Sequence, residues 1–204
     1  MESTEIAETI QGEDETRGAR MEERFRKLVA IYLGVVAMLL AIASLGGTNA
    51  TKVMLSANIQ ASDTYAFYQA KYMRQTTYRL VADQLAALVA AQPQLAPPAK
   101  AGIERQIGKY RARADSYETD PKSGTGKKEL LEKAKEWEAR RDRATEQDPN
   151  FDFAEALFQI AIVLGAVSIV AEAPWLVRLS GALTAVAVLL TINGYFLLVH
   201  LPLE

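Results

Sequence analysis

The sequence has no cysteine and a single histidine among its 204 residues. The absence of cysteine excludes disulfides, thiolate nucleophiles and cysteine-ligated metal sites. The one histidine, His200, has no second histidine with which to share a metal. No Ser-His-Asp set, paired-carboxylate site or metal-ligand cluster is visible, so we expect a non-enzymatic protein without a metal or other cofactor. The slight basic excess of residues 52–150 is diluted by acids, and it does not indicate a nucleic-acid partner.

Long apolar runs, in contrast, are abundant. Leu28–Leu45, Phe153–Ala171 and Leu179–Leu201 are uncharged or nearly uncharged. A helix needs about 20 apolar residues to cross a hydrocarbon core about 30 Å thick. A soluble domain of this length has no way to bury three such helices. The sequence therefore predicts an all-α integral membrane protein with three transmembrane helices in contact with membrane lipids.

The segments around these runs predict the organisation of the chain. Residues 1–20 are acidic and short of large apolar residues, which is typical of a disordered tail. Residues 21–50 contain the first span, and residues 151–204 contain the second and third. Residues 51–150 are expected to form a long extramembrane helical hairpin, similar to a coiled coil, between spans one and two.

Within the hairpin, residues 51–92 contain neither proline nor glycine and predict one long helix. Return helices are expected near residues 99–116 and 127–147. Asp148 and Pro149 resemble a helix start, with an N-cap followed by proline at the first helical position. A new helix is therefore expected to begin there and to lead into span two. Two glycines at the exit of span one leave open whether that span continues into the hairpin.

Orientation follows from the charges beside the spans, because short cytoplasmic flanks carry an excess of Lys and Arg. Basic residues precede span one, and another lies between spans two and three. They are Arg17, Arg20, Arg24, Arg26, Lys27 and Arg178. We therefore expect the N-terminus in the cytoplasm and the hairpin on the opposite side of a multi-pass membrane protein.

One face of the first hairpin helix has an apolar residue at every seventh position, as in one seam of a coiled coil. This heptad stripe comprises Ile59, Ala66, Met73, Leu80 and Ala87. Three tyrosines lie beside it on one helical face. Candidate contacts with a partner or a second copy are Tyr65, Tyr68, Gln69, Lys71 and Tyr72. The alternative for the tyrosines is packing against the return helices.

Polar residues inside spans two and three form a second candidate site. Its members are Glu155, Gln159, Thr191, Asn193 and Tyr195. Because a short loop makes these spans antiparallel neighbours, Glu155 is expected at a depth similar to that of Asn193. An intramembrane carboxylate is a candidate for an ion or proton path or for a contact between subunits. The alternative is that Glu155 faces the headgroups while Gln159 and Asn193 hold helices together.

Residues 123–128 resemble half of a phosphate-binding loop. The full pattern requires glycine where Pro121 stands and Ser or Thr where Lys128 stands. We therefore expect no nucleotide, and we interpret the segment as a flexible hairpin loop.

Three blocks carry a resemblance to a known family: Ala61–Lys71 (ASDTYAFYQAK), Phe158–Leu164 (FQIAIVL) and Asn193–Tyr195 (NGY). They resemble a bacterial membrane protein family known as a domain of unknown function (number 4337). Members typically carry tryptophan where Thr64 or Tyr65 stands. The resemblance implies a bacterial membrane protein and assigns no activity. Together with the orientation that the flanking charges indicate, it leads us to expect the bacterial inner membrane and a periplasmic hairpin. It draws attention to four shared positions: Gln69, Lys71, Gln159 and Asn193.

The leading hypothesis is a non-enzymatic inner-membrane protein that self-assembles, or supports a larger membrane complex as an accessory subunit, through its hairpin. The alternative is an oligomeric channel or transporter subunit with a polar path near Glu155, Gln159 and Asn193. Such a path requires oligomerisation, because three spans are too few for a conduit in one chain. A membrane enzyme is the third hypothesis, for which the sequence offers no catalytic set.

Overall fold

The computed structural model describes the backbone of residues 2–200 and the side chains of residues 20–200. Over this range the chain forms four α-helices and no β-strand, which confirms the all-α prediction. The helices are α1 (Glu2–Ala91), α2 (Pro97–Asp115), α3 (Lys127–Val170) and α4 (Pro174–Phe196). In residues 2–20, where the sequence predicts a disordered tail, the described backbone is the first part of α1. The side chains before Arg20 lie outside the described residues, and disorder of this segment stays a prediction.

Two compact units divide the chain. The first contains the residues up to Thr51 and from Ala144 onward, and we call it the apolar bundle. The second is Lys52–Arg143, and we call it the hairpin unit. The helices α1 and α3 contribute to both units, whereas α2 belongs to the hairpin unit and α4 to the apolar bundle.

The helix α1 continues without a break through Gly46 and Gly47, so span one and the first hairpin helix are one element. Each glycine costs a helix about 1 kcal/mol relative to alanine. Both glycines are buried here, because the Phe151 ring lies against Gly46 and the Phe151 Cβ atom lies against Gly47. Contact with this side chain offsets the low helix propensity of the two glycines.

In the hairpin unit, the two return helices contact different parts of α1. Tyr78 of α1 contacts Tyr110 of α2, with ring centroids 5.7 Å apart. Tyr65, closer to the start of the unit, donates a hydrogen bond to Glu138 of α3. The single long helix is therefore covered by two shorter ones in succession.

The buried face of α1 in the hairpin unit has its own seven-residue spacing, but it differs from the heptad stripe. Ala57 and Thr64 lie seven residues apart on the buried face, as do Gln75 and Ala82, and Gln75 is only 1% exposed. The heptad stripe is offset from Ala57 by two residues, which is about 200° around an α-helix. All five of its residues are therefore exposed within one chain, with Met73 69% and Leu80 57% exposed.

The expected helix start at Asp148-Pro149 is wrong, because α3 runs through Pro149 from Lys127 to Val170. Proline removes one backbone hydrogen bond and crowds the preceding turn, at a cost of about 3 kcal/mol in a helix interior. Contacts on both sides of Pro149 keep the helix intact. Asp148 accepts a hydrogen bond from Thr51 Oγ1 (2.9 Å), and Asn150 Nδ2 donates to the Glu146 carbonyl (2.9 Å). Asp148 thus joins α3 to α1 and does not cap a new helix.

The apolar bundle contains apolar stretches of α1, α3 and α4, and each is long and apolar enough to cross a membrane. Its core is formed by small side chains around the fully buried Phe158: Val36, Ala43, Ala154, Ala161 and Ala187. Most of each apolar stretch remains uncovered by protein. In the most apolar 18-residue window, only 17% of the residues are buried in α1, 28% in α3 and 17% in α4.

Candidate functional site

A buried polar network joins the three helical segments of the hairpin unit at Gln75. Its Nε2 atom donates to the Glu118 carboxylate (2.9 Å) and to the Ala114 carbonyl (3.2 Å). Lys127 Nζ donates to Gln75 Oε1 (2.7 Å) and to Glu118 Oε2 (3.1 Å). The Gln75 amide, the Glu118 carboxylate and the Lys127 ammonium group thus form hydrogen bonds with one another, as is typical of buried polar groups.

The network also perturbs the ionisation of its carboxylate. Hydrogen bonds from Gln75 and then from Lys127 lower the pKa of Glu118 below its ordinary value. The Lys127 side chain is 11% exposed and the Glu118 side chain 39% exposed, so solvent screens this ion pair only in part. The arrangement favours the charged pair, and it holds the start of α3 against α1.

The three candidate tyrosines have different environments. Tyr65 donates to Glu138 Oε2 (3.1 Å), and partial burial together with this bond raises the pKa of Tyr65. Tyr68 is half-buried and stacks on Tyr72, with ring centroids 6.5 Å apart. Tyr72 remains 52% exposed, with Lys127 Nζ 5.1 Å from its ring centroid. Packing within the chain therefore accounts for Tyr65 and Tyr68, and Tyr72 retains a free surface.

Lys71 and Gln69 also lie in different environments. Lys71 is half-buried, donates to Thr125 Oγ1 (3.3 Å), and lies 5.4 Å from the ring centroids of both Phe67 and Tyr117. Its charge is thus held between two aromatic rings, a favourable cation–π arrangement. Gln69 is exposed, next to the heptad stripe. Of the five candidate contacts, Gln69 and Tyr72 keep the most accessible surface.

The segment that resembles half of a phosphate-binding loop is organised by an acid. The Ser123 N–H donates to the Asp120 carboxylate (3.3 Å), and the Gly124 N–H donates to the Asp120 carbonyl (2.9 Å). The hydrogen bonds from Ser123 lower the pKa of Asp120. Gly124 has φ of +64°, which glycine adopts without strain. The residues of this segment close the turn that leads into α3.

In the apolar bundle, the Phe151 ring fills a hole lined by Gly46 of α1 and Gly194 of α4. A Cβ atom added to Gly46 or Gly194 would overlap the Phe151 ring at less than 3 Å. Tyr195 packs edge-on against the same ring, with centroids 4.9 Å apart, and donates to the Ile42 carbonyl (3.2 Å). One aromatic side chain of α3 thereby fixes α1 and α4, and glycine is needed on both to admit it.

Asn193 uses its whole side-chain amide beside this hole. Its Nδ2 atom donates to Asn150 Oδ1 and to the Val199 carbonyl, both at 2.9 Å. Its Oδ1 atom accepts from the Val199 N–H (2.9 Å). Asn193 is 7% exposed and Asn150 3% exposed. The pair therefore ties α4 to α3 and closes the C-terminal end of α4.

The structure divides the predicted cluster of spans two and three. Asn193 and Tyr195 lie at the Phe151 hole, whereas Gln159 is exposed and Glu155 half-buried. Gln159 Nε2 donates to Glu155 Oε1 (3.4 Å), a long bond within α3. Thr191 donates to the Ala187 carbonyl of its own helix (2.8 Å). Glu155 and Gln159 thus meet each other but do not meet Asn193.

A further hydrogen-bonded contact was not found in the sequence. The Tyr32 hydroxyl lies 2.8 Å from Ser180 Oγ and 2.8 Å from Thr184 Oγ1, and Ser180 Oγ donates to the Ala161 carbonyl (2.6 Å). Polar residues facing one another in three apolar helices are the signal for such a contact. Span one has only Tyr32 and Ser44 as polar residues, and the partners of Tyr32 lie about 150 residues away in the chain. To predict this contact from the sequence, one would have to know how far along its span each of these residues lies.

Among residues 20–200, no group of three or more His, Asp or Glu side chains is arranged to hold a metal ion. Several of the described polar side chains join helices, through Gln75 in one unit and through Asn193 and Tyr32 in the other. Fold and contacts together define an all-helical protein with three helices long and apolar enough to span a membrane.

The family is established by a match over most of the chain. A family model described as a domain of unknown function (DUF4337) matches residues 25–197, and the chain belongs to this family. The matched range includes the apolar part of α1, the hairpin unit and α4 to just beyond its end. No curated protein and no solved structure matches the chain.

Proposed function

We propose that this chain is a non-enzymatic integral membrane protein that self-assembles, or supports a larger membrane complex as an accessory subunit, through its helical hairpin. The observation that carries the proposal is the exposed apolar surface of α1, α3 and α4. In the most apolar 18 residues of each helix, at least 72% of the residues are not buried. Exposed apolar surface of this extent requires lipid or protein around it.

Helix lengths support a transmembrane arrangement. The 23 residues of α4 extend about 35 Å at 1.5 Å per residue, which matches a hydrocarbon core of about 30 Å. The polar side chains of the apolar bundle mostly bond to its own helices, as Tyr32 does with Ser180 and Thr184. In lipid, such internal bonds replace those that water would otherwise make.

Orientation is part of the proposal. Arg26 Nη2 lies 3.8 Å from Glu172 Oε1, so the start of span one and the α3–α4 loop lie at the same end of the apolar bundle. Arg178 follows that loop, and the basic residues before span one adjoin Arg26. Retention of positive charge in the cytoplasm supports a cytoplasmic N-terminus and a periplasmic hairpin in a bacterial inner membrane.

The surface we assign to assembly is the heptad stripe on α1 with the adjoining Gln69 and Tyr72. Its large side chains are exposed within one chain: Ile59 is 58% exposed, Met73 69% and Leu80 57%. Apolar residues at seven-residue spacing on a long helix favour coiled-coil contact with another helix. The return helices cover the opposite face of α1 and leave the stripe free for a partner.

Native mass spectrometry of the protein extracted gently from its own membrane tests this proposal. We expect either a repeated mass of this chain or a mixed mass with a companion. The double substitution Met73→Glu and Leu80→Glu should break the contacts made through the stripe and lower the mass of the assembly, because it places charge within the stripe. Gln106→Glu on the exposed side of α2 is the matched control and should leave the assembly intact. A strict monomer in lipid nanodiscs, with nothing bound, would sink the proposal.

The channel alternative keeps one supporting observation, the polar pair Glu155–Gln159 on the outer side of α3. In an oligomer with α3 at its axis this pair would line the centre. Asn193 contributes little to such a path, because its amide is bonded to Asn150 and Val199. Ion flux in proteoliposomes that Glu155→Gln alters would favour this alternative, and absence of flux in the parent protein would remove it.

A further inference from the structure

We propose that a second copy of this chain packs against the outer face of α3 within the membrane, and that Glu155 and Gln159 form hydrogen bonds across that contact. This inference rests on the proposed membrane placement and self-assembly. It adds an interface that is separate from the heptad stripe of the hairpin unit.

The first observation is the environment of Gln159. Phe153 and Ala171 bound the apolar stretch, six residues before Gln159 and twelve residues after it, so its backbone is about 9 Å from one end of the stretch and about 18 Å from the other. The residue is exposed, and the neighbouring Ile160 and Val163 are 50% and 60% exposed. A carboxamide at this depth faces hydrocarbon, where no water is present to bond it.

The second observation is the incomplete bonding of the pair. Only one weak hydrogen bond, from Gln159 Nε2 to Glu155 Oε1 at 3.4 Å, joins the two side chains. The amide keeps its oxygen and a second N–H, and the carboxyl group keeps its second oxygen. Polar groups within transmembrane helices face the bundle interior, pair with one another or contact another helix. The free donor and acceptor therefore call for a polar partner that lipid tails do not provide.

The third observation identifies a second copy as that partner. An acceptor and a donor one helical turn apart are self-complementary, since Gln159 of one copy can donate to Glu155 of the other across a two-fold axis. The exposed line on this face advances in steps of three and four residues. It comprises Ala156, Gln159, Val163, Ala166 and Val170. Alanine at two of these positions permits close approach of two backbones in lipid.

The absence of cysteine permits a direct test, because single cysteines can be introduced without background. Val163→Cys and Ala166→Cys lie on the proposed face. Leu189→Cys, on the exposed side of α4, is the matched control, since Leu189 is 66% exposed and Val163 60%. Mild copper oxidation of native membranes should yield a disulfide-linked dimer at least about tenfold more abundant for the α3 variants than for Leu189→Cys. Equal yields would overturn the inference, as would linkage to a different protein.

The dependence of dimer formation on Glu155 and Gln159 is tested in the protein that carries Val163→Cys. Gln159→Leu should lower the dimer yield about tenfold, because the hydrocarbon side chain removes the need for a partner. Glu155→Gln keeps a polar group at 155 and should preserve most of the yield. Unchanged yield with Gln159→Leu would overturn the role of this pair.

The outcomes separate this inference from the proposed function. A parent protein that is monomeric by native mass spectrometry contradicts both. An oligomer whose cysteine at 163 or 166 does not cross-link contradicts the α3 interface alone. Cross-linking that survives while Met73→Glu with Leu80→Glu leaves the assembly unchanged contradicts the hairpin surface and retains the α3 interface.

Discussion

The hairpin unit and the apolar bundle join their helices with different chemistry. In the hairpin unit, ion pairs bridge helical segments: Arg79 with Asp115 (3.6 Å), Arg111 with Asp83 (3.4 Å) and Lys127 with Glu118 (3.1 Å). In the apolar bundle, the contacts around Tyr32 and Phe151 use neutral hydroxyl groups, small side chains and glycine, and the Asp148 carboxylate bonds to a neutral hydroxyl, that of Thr51. At the loop end of this unit, the charged contact between Arg26 and Glu172 is exposed.

This difference in contact chemistry corresponds to two environments: water for the hairpin unit and, under the proposed membrane placement, lipid for the apolar bundle. Water around the hairpin unit tolerates charges at the edges of its contacts, and apolar burial supplies the attraction between its helices. Under the proposed membrane placement, lipid gives the bundle helices no hydrophobic attraction to one another, so close contact and internal hydrogen bonds must hold them. The comparison teaches that one long helix, α1, can serve both environments by changing the residues on its buried face.

The largest expected effect is in the apolar bundle. Phe151→Ala should destabilise it by about 3–5 kcal/mol, because the substitution empties the hole lined by Gly46 and Gly194. Hydrogen exchange in detergent should rise at the apolar part of α1, with α2 unchanged. Phe153→Ala is the matched control, since Phe153 is 49% exposed and should cost little. Equal losses for both variants would show that the hole does not hold the helices.

The second effect is in the hairpin unit. Gln75→Leu should destabilise it by about 1–3 kcal/mol, because Lys127 and the Ala114 carbonyl each lose a buried partner. Faster hydrogen exchange should be confined to the start of α3 and the end of α2. Phe151→Ala, in contrast, should leave the exchange of α2 unchanged. Gln84→Leu, at an exposed position of α1, is the control. Spread of the loss into α4 would contradict the assignment of this network to the hairpin unit alone.

The third effect is a pH dependence of the hairpin unit. The folded-state pKa of Glu118 is lowered, so its stabilising contribution is present above the ordinary value of 4.5 and is lost as the pH falls through the lowered folded-state value. After screening by solvent we expect less than about 1 kcal/mol. Thermal unfolding followed from pH 7 to pH 3 measures it. Glu118→Gln should reduce this acid-dependent loss, and an unchanged profile would contradict the assignment.

The smallest effect is expected at the surface. Arg111→Ala removes an ion pair whose side chains are 57% and 70% exposed, and it should cost at most about 0.5 kcal/mol. Raising the salt concentration should abolish the difference from the parent protein in chemical unfolding. A loss above about 1 kcal/mol, or one insensitive to salt, would mean that the aliphatic part of Arg111 packs against α1.

Much of the fold was accessible from one-dimensional features. The lengths of the apolar runs predicted the three long apolar helices, and the absence of proline and glycine from residues 51–92 predicted one continuous helix there. Pro149 was misjudged, because a local helix-start signal ignores the hydrogen bonds that Asp148 accepts from Thr51 of α1 and Asn150 accepts from Asn193 of α4. The heptad stripe was a real repeat, but repeat spacing alone does not say which face the return helices cover.

The sequence by itself determined the class of structure, since hydrocarbon length and helix propensity are properties of single segments. It also indicated the family through the blocks at residues 61–71, 158–164 and 193–195, and residues 25–197 match that family. Only the tertiary structure decided that Phe151 needs Gly46 and Gly194, that Asn193 bonds Asn150, and that Glu155 and Gln159 lie apart from Asn193. These relations depend on the rotation and depth of one helix against another, and contacts distant in sequence set both.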